Sequence, residues 1–136
     1  MLFLLALGAC QGPSSQPTPP DTLPEPETSP VPAPVREDIG LDQFKSLIGQ
    51  PDHILLDVRT PEEITEGMIE GAQHIDFHGE DFGAKIKALD KDKTYLVYCR
   101  SGNRSGQTTV LMEREGFKKA YNLMGGYTAW KAATQQ

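Results

Sequence analysis

The residues of this chain best suited to chemistry are Tyr98-Cys99-Arg100-Ser101-Gly102-Asn103-Arg104-Ser105. A cysteine stands where a run of β-branched and aromatic residues ends. A short polar loop with one glycine follows, and then residues that read as a helix. Backbone N–H groups in such a loop can converge into an anion-binding nest, and the helix N-terminus adds partial positive charge. Arg100 and Arg104 bring two full charges nearby. Each of these effects favours thiolate over thiol, so Cys99 is expected to ionise below the free-cysteine value of about 8.5. Cys99 is therefore the candidate nucleophile. Arg100, Ser101, Gly102, Asn103 and Arg104 are the candidate contacts for an anionic substrate held beside its sulfur. Two further polar segments, Asp57-Val58-Arg59 and Asp76-Phe77-His78, leave apolar runs in the same way. Asp57 and Arg59 are expected to tie a strand to neighbouring loops and to support the site rather than touch substrate.

The elements that must position this loop alternate between strand and helix from Arg36 onward. Leu41, Phe44, Leu47 and Ile48 recur at helical spacing, with Gly49 as a stop. Ile54 to Val58 is an apolar run of strand length. Thr60-Pro61-Glu62-Glu63 reads as a capping box with proline at the first helical position, closed by Gly67. A short strand is expected over Gln73–Asp76 and a helical stripe at Phe82, Ile86 and Leu89. Thr94–Tyr98 carries the strongest strand signal. Ser105–Glu115 reads as a helix ended by Gly116, Ala120–Leu123 as a last strand, and Gly125-Gly126 as a turn into a helix with Ala129 and Trp130. Near-continuous apolar strands alternating with helices predict an α/β fold, a short parallel sheet flanked by helices on both faces. Ligands of such sheets gather at the carboxyl ends of the strands, where Cys99 stands. There is no internal repeat.

Composition divides the chain. Nine of its 11 prolines precede Arg36. The expected organisation is a signal-type segment over residues 1–10, a disordered Pro/Ser/Thr-rich linker over 11–35, and one folded domain over 36–136. A domain of that size needs no disulfide or metal to fold. Its 16 acids and 13 bases, within an overall charge of −6, argue against a nucleic-acid partner. Leu2 to Ala9 is apolar, too short to span a bilayer but long enough for a signal-peptide core, though no basic residue precedes it. Leu7-Gly8-Ala9-Cys10 resembles a bacterial lipobox, which makes Cys10 the candidate lipidation site. The expected location is the cell envelope, with the domain anchored by lipid on the extracytoplasmic side. Gln11 is not the aspartate that retains many lipoproteins at the inner membrane, so the outer membrane is favoured. A Cys10–Cys99 disulfide is rejected, because it would cap the nucleophile and use up the lipid site.

The Cys99 loop resembles the active-site loop of the rhodanese-like sulfurtransferases, and the remaining motifs agree in order and spacing. Leu56-Asp57-Val58-Arg59 with Pro61-Glu62-Glu63 is similar to the family's amino-terminal signature. Glu66-Gly67-Met68-Ile69-Glu70-Gly71-Ala72 resembles its EGHIPGA stretch, with Met68 and Glu70 as departures. Leu123-Met124-Gly125-Gly126-Tyr127 through Trp130 resembles its carboxyl-terminal signature. The resemblance covers roughly Glu37 to Ala133. It implies a single rhodanese domain in which Cys99 takes sulfane sulfur from a small anionic donor such as thiosulfate. The resulting persulfide would pass its sulfur to cyanide or another thiophilic acceptor. No cofactor is implied. No metal is implied either, although His74, Asp76 and His78 would line one face of an extended strand. The expected state is a monomer that meets the membrane only through its lipid. Two alternatives are a tethered sulfur carrier or docking module without enzymatic activity, and a cysteine phosphatase. The latter places five residues between Cys and Arg, whereas Arg104 follows Cys99 after four.

Overall fold

The apolar stretches at residues 53–57, 94–98 and 119–123 become the interior of a five-stranded sheet because only such runs can bury both faces of a strand. The computed structural model describes residues 33–135. The expectations for the apolar N-terminal run, for Cys10 and for most of the Pro-rich leader lie outside the described residues. The strands are β1 (Arg36–Ile39), β2 (His53–Asp57), β3 (Gln73–His74), β4 (Thr94–Tyr98) and β5 (Lys119–Leu123). All pair in parallel, in the order β1-β5-β4-β2-β3. The helices are α1 (Leu41–Leu47), α2 (Pro61–Ile64), α3 (Phe82–Lys87), α4 (Asn103–Arg114) and α5 (Gly126–Thr134).

Strand residues alternate between two faces, and each face has its own core. Tyr95, Val97 and Cys99 pack with Leu56, Val58, Ile86 of α3 and Met112 of α4. Leu96 and Tyr98 pack with Leu55, Phe44 of α1, Ile69, and Tyr127 and Trp130 of α5. The sheet is therefore covered on both sides, the α/β arrangement expected from sequence. The same alternation places Cys99, one residue beyond β4, on the α4 side.

β2 and β5 lie within one residue of the sequence reading, and three elements depart from it further. β1 carries no strand signal in the sequence, since three of its four residues are charged, and only Ile39 is buried. It forms because its backbone completes the edge of β5, from Arg36 opposite Ala120 to Ile39 opposite Leu123. β3 is two residues long rather than four, although the Ile75 and Phe77 N–H groups still donate to the Asp57 and Val58 carbonyls. α4 starts at Asn103, two residues early, because Gly102 adopts φ +102° and turns the chain directly into the helix.

The end of β2 is secured by a buried ion pair. Asp57 is fully buried and Arg59 is 1 % exposed. Arg59 Nη2 donates to Asp57 Oδ2 at 2.8 Å, and its Nε lies 3.0–3.1 Å from both carboxylate oxygens. The guanidinium also donates to the Gly67 carbonyl at 2.6 Å, and its carbon lies 4.0 Å from the Tyr127 ring centroid. Burial works against the Arg59 charge, but Asp57 outweighs it and holds the guanidinium above its ordinary pKa. One side chain thus joins β2, the loop after α2, and α5. Arg59→Met should destabilise the domain by about 3–5 kcal/mol in urea unfolding, because it strands a buried carboxylate. Adding Asp57→Asn should recover part of that loss.

Candidate active site

The loop after β4 is shaped by where its carbonyls go. The Cys99 carbonyl accepts from Tyr127 N–H at 2.7 Å. The Arg100 carbonyl accepts from the Thr128 N–H at 3.1 Å and from its hydroxyl at 3.0 Å. The first turn of α5 therefore ties off the loop's acceptors and leaves its N–H groups for the sulfur. This close approach requires glycine at 126. Its φ is +55°, and a Cβ there would lie 2.5 Å from the Cys99 carbonyl oxygen.

Cys99 is 1 % exposed, with its Sγ 3.1 Å from the Gly102 N–H donor and 3.3 Å from the Ser105 hydroxyl. Burial alone pushes the Cys99 thiol up. The Ser105 hydroxyl and the N–H groups of Ser105, Gly102 and Ser101 outweigh burial, so the thiol sits below its ordinary value. This is the anion nest at the start of a 12-residue helix.

The two arginines stand differently from one another. Arg104 is half-buried and forms a bidentate pair with Glu63, Nη1 to Oε2 and Nη2 to Oε1, both at 2.7 Å. Its pKa is raised first by that hydrogen bonding and then, against burial, by the charges of Glu63 and Cys99. Much of its charge is therefore answered by Glu63. Arg100 is exposed and lies in a cleft of about 360 Å³ with Glu63, Glu66, Tyr127, Thr128 and Lys131. Cys99 is not part of that cleft's lining. Ser101 is exposed and contributes its N–H, while Gly102 supplies both the turn and a donor. The Asn103 side chain accepts from Gln107 along the outer face of α4. His74 bonds the Arg59 carbonyl, and Asp76 accepts from the His78 N–H. Among the described residues no group of three or more His, Cys, Asp or Glu side chains converges as metal ligands would.

Two members of the site escape sequence reasoning. Glu63 is legible as a helix cap, and it does cap: its Oε2 accepts from the Thr60 N–H and hydroxyl. Its second task, holding Arg104 from 41 residues away, has no local signal. Asn122 reads as an ordinary strand residue, yet it receives the Ser105 hydroxyl at 2.5 Å. Hydrogen bonding by Arg104, opposed by burial and aided by Thr60, lowers the Glu63 carboxyl from 4.5 to about 2. A depressed carboxylate contributes stability above its unfolded pKa and loses it as pH falls through the folded value. Glu63→Gln should therefore cost about 1–3 kcal/mol at neutral pH. In urea unfolding across a pH series, the gap to wild type should close between about pH 4.5 and 2.

Comparison with known proteins agrees with this geometry. The model of the rhodanese-like domain matches residues 40–133. YtwF of Bacillus subtilis is 44 % identical over 81 residues, covering 60 % of this chain and 76 % of its own length. The thiosulfate sulfurtransferase GlpE of Pseudomonas putida is 35 % identical over 80 residues, covering 58 % of this chain and 70 % of its own. Among solved structures, a rhodanese-related protein from Thermoplasma volcanium superposes with a TM-score of 0.63 at 28 % identity, over 72 % of this chain and 93 % of that one. With parallel sheet, nested cysteine and matching motifs in one span, the chain belongs to the rhodanese-like domain family.

Proposed function

We propose that this domain is a sulfurtransferase that moves sulfane sulfur from a thiosulfate-type donor through a persulfide on Cys99. The observation that carries the reading is the Cys99 sulfur itself, buried yet met by N–H donors and a hydroxyl that favour its anionic form. Such a thiolate needs no separate general base. It attacks the outer sulfur of thiosulfate. The Sγ–S bond forms as the S–S bond of the donor breaks, and sulfite leaves with the bonding pair. Negative charge then rests on the terminal persulfide sulfur, one atom farther out and still within the field of the nest and Arg104. Cyanide or another thiophilic acceptor attacks that sulfur, thiocyanate or its equivalent departs, and the Cys99 thiolate is restored. The sulfurtransferase relatives support transfer in general, and the thiosulfate donor extends what GlpE is named for.

Thiosulfate should add the mass of one sulfur atom to the reduced domain, and cyanide should remove it. Cys99→Ser should do neither while remaining folded, since serine is nearly isosteric but a poor sulfur nucleophile. Turnover retained in Cys99→Ser would overturn the reading. A domain that loads sulfur but yields it only to a protein acceptor would instead be a carrier.

The same proposal places the domain in a bacterial cell envelope, tethered through lipid on Cys10. Labelled fatty acid should enter the wild-type protein but not Cys10→Ser, and domain activity should be equal in both. Native protein found soluble without detergent, with residues 1–9 attached, would overturn the anchor and leave the sulfur chemistry standing.

A further inference from the structure

From Cys99 a polar chain runs through Ser105 of α4 and Asn122 of β5 to Asp38 of β1. Ser105 is fully buried and Asn122 is 5 % exposed. The Asn122 amide nitrogen donates to Asp38 Oδ1 at 2.9 Å and to the Gly102 carbonyl at 3.1 Å. Both partners can only accept, so the amide is held with its Oδ1 toward Ser105. The Ser105 oxygen lies 2.5 Å from that Oδ1 and 3.3 Å from Cys99 Sγ. A hydroxyl has one proton to donate, and here two acceptors stand within its reach.

We infer that Asn122 is a positioning residue that competes with Cys99 for the Ser105 proton and so sets how readily Cys99 carries negative charge. With Cys99 as a thiol, S–H donates to Ser105 Oγ, and Oγ–H donates to Asn122; both bonds are made. When the thiol gives its proton to solvent, the hydroxyl turns to the sulfur and the bond to Asn122 is lost. Asn122 therefore weakens the support that Ser105 gives the thiolate. In the persulfide the charge has moved to the outer sulfur, Sγ is neutral, and the hydroxyl can return to Asn122. The arrangement favours the loaded form over the free thiolate. This role deepens the sulfur-transfer reading and rests on Cys99 being its reactive thiol.

Other charged groups around the pair are Asp38 and Arg36 on β1, Arg104 on α4 with Glu63 on α2, and Arg100 in the loop. Any of these could shift Cys99 through space, but only Asn122 acts through the Ser105 hydroxyl, and a double-mutant cycle separates the two routes. The readout is iodoacetamide alkylation of Cys99 against pH in the full chain. Asn122→Leu should move the midpoint down, with alkylation below the midpoint about two- to fivefold faster. Ser105→Ala should move it up. The double variant should match Ser105→Ala alone. Equal shifts from Asn122→Leu in both backgrounds, no shift in either, or an upward shift would overturn the inference.

Asp38→Ala, at a half-exposed position, removes one of the two acceptors that hold the Asn122 amide and leaves the Gly102 carbonyl as the other, which keeps the test open should Asn122→Leu fail to fold. Its downward shift should be smaller and should diminish in the Ser105→Ala background; an undiminished shift counts against the role. Alkylation does not require sulfur transfer. A coupled Asn122–Ser105 pattern without persulfide formation would overturn the function and leave this role standing.

Discussion

A buried sulfur can hold negative charge only where protein donors replace the water it has lost. In this domain that replacement is made by the Ser105 hydroxyl together with the N–H groups of Ser101, Gly102 and Ser105, and much of the surrounding architecture keeps them aimed at Cys99. The N–H groups face inward because the carbonyls of Cys99 and Arg100 are engaged by the first turn of α5. That turn can approach because position 126 has no side chain. The turn into α4 depends in the same way on Gly102. The chemistry of one residue is thus set by the packing of two helix starts against each other.

Two ion pairs hold the surrounding frame, and they differ in kind. Asp57–Arg59 is sealed from solvent and joins the end of β2 to the Gly67 carbonyl and the Tyr127 ring. A pair so buried matters less for net stability than for what its rupture would leave behind. Glu63–Arg104 is half-buried and links the cap of α2 to the first turn of α4. Because Glu63 answers much of the Arg104 charge, the backbone nest and Ser105, rather than two unpaired arginines, carry most of the thiolate's stabilisation. Arg104 remains near the sulfur as an oriented donor, which suits the outward movement of charge in the proposed transfer.

What the sequence determined by itself was local or periodic. Strand runs, the Thr60–Glu63 capping box and the Cys99 loop could be read because each depends on neighbours within a few residues. The parity of β4 likewise decides the face on which Cys99 stands. The tertiary structure alone decided what depends on distant partners. β1 exists because β5 has an edge to complete, not because Arg36-Glu37-Asp38 favours a strand. Glu63 meets Arg104 across 41 residues, Ser105 meets Asn122 across 17, and Asn122 meets Asp38 across 84. A side chain's periodicity reports the element it sits in and the face it turns inward. Which acceptor its last proton reaches depends on the packing of separate elements, and in this domain that packing sets the charge on Cys99.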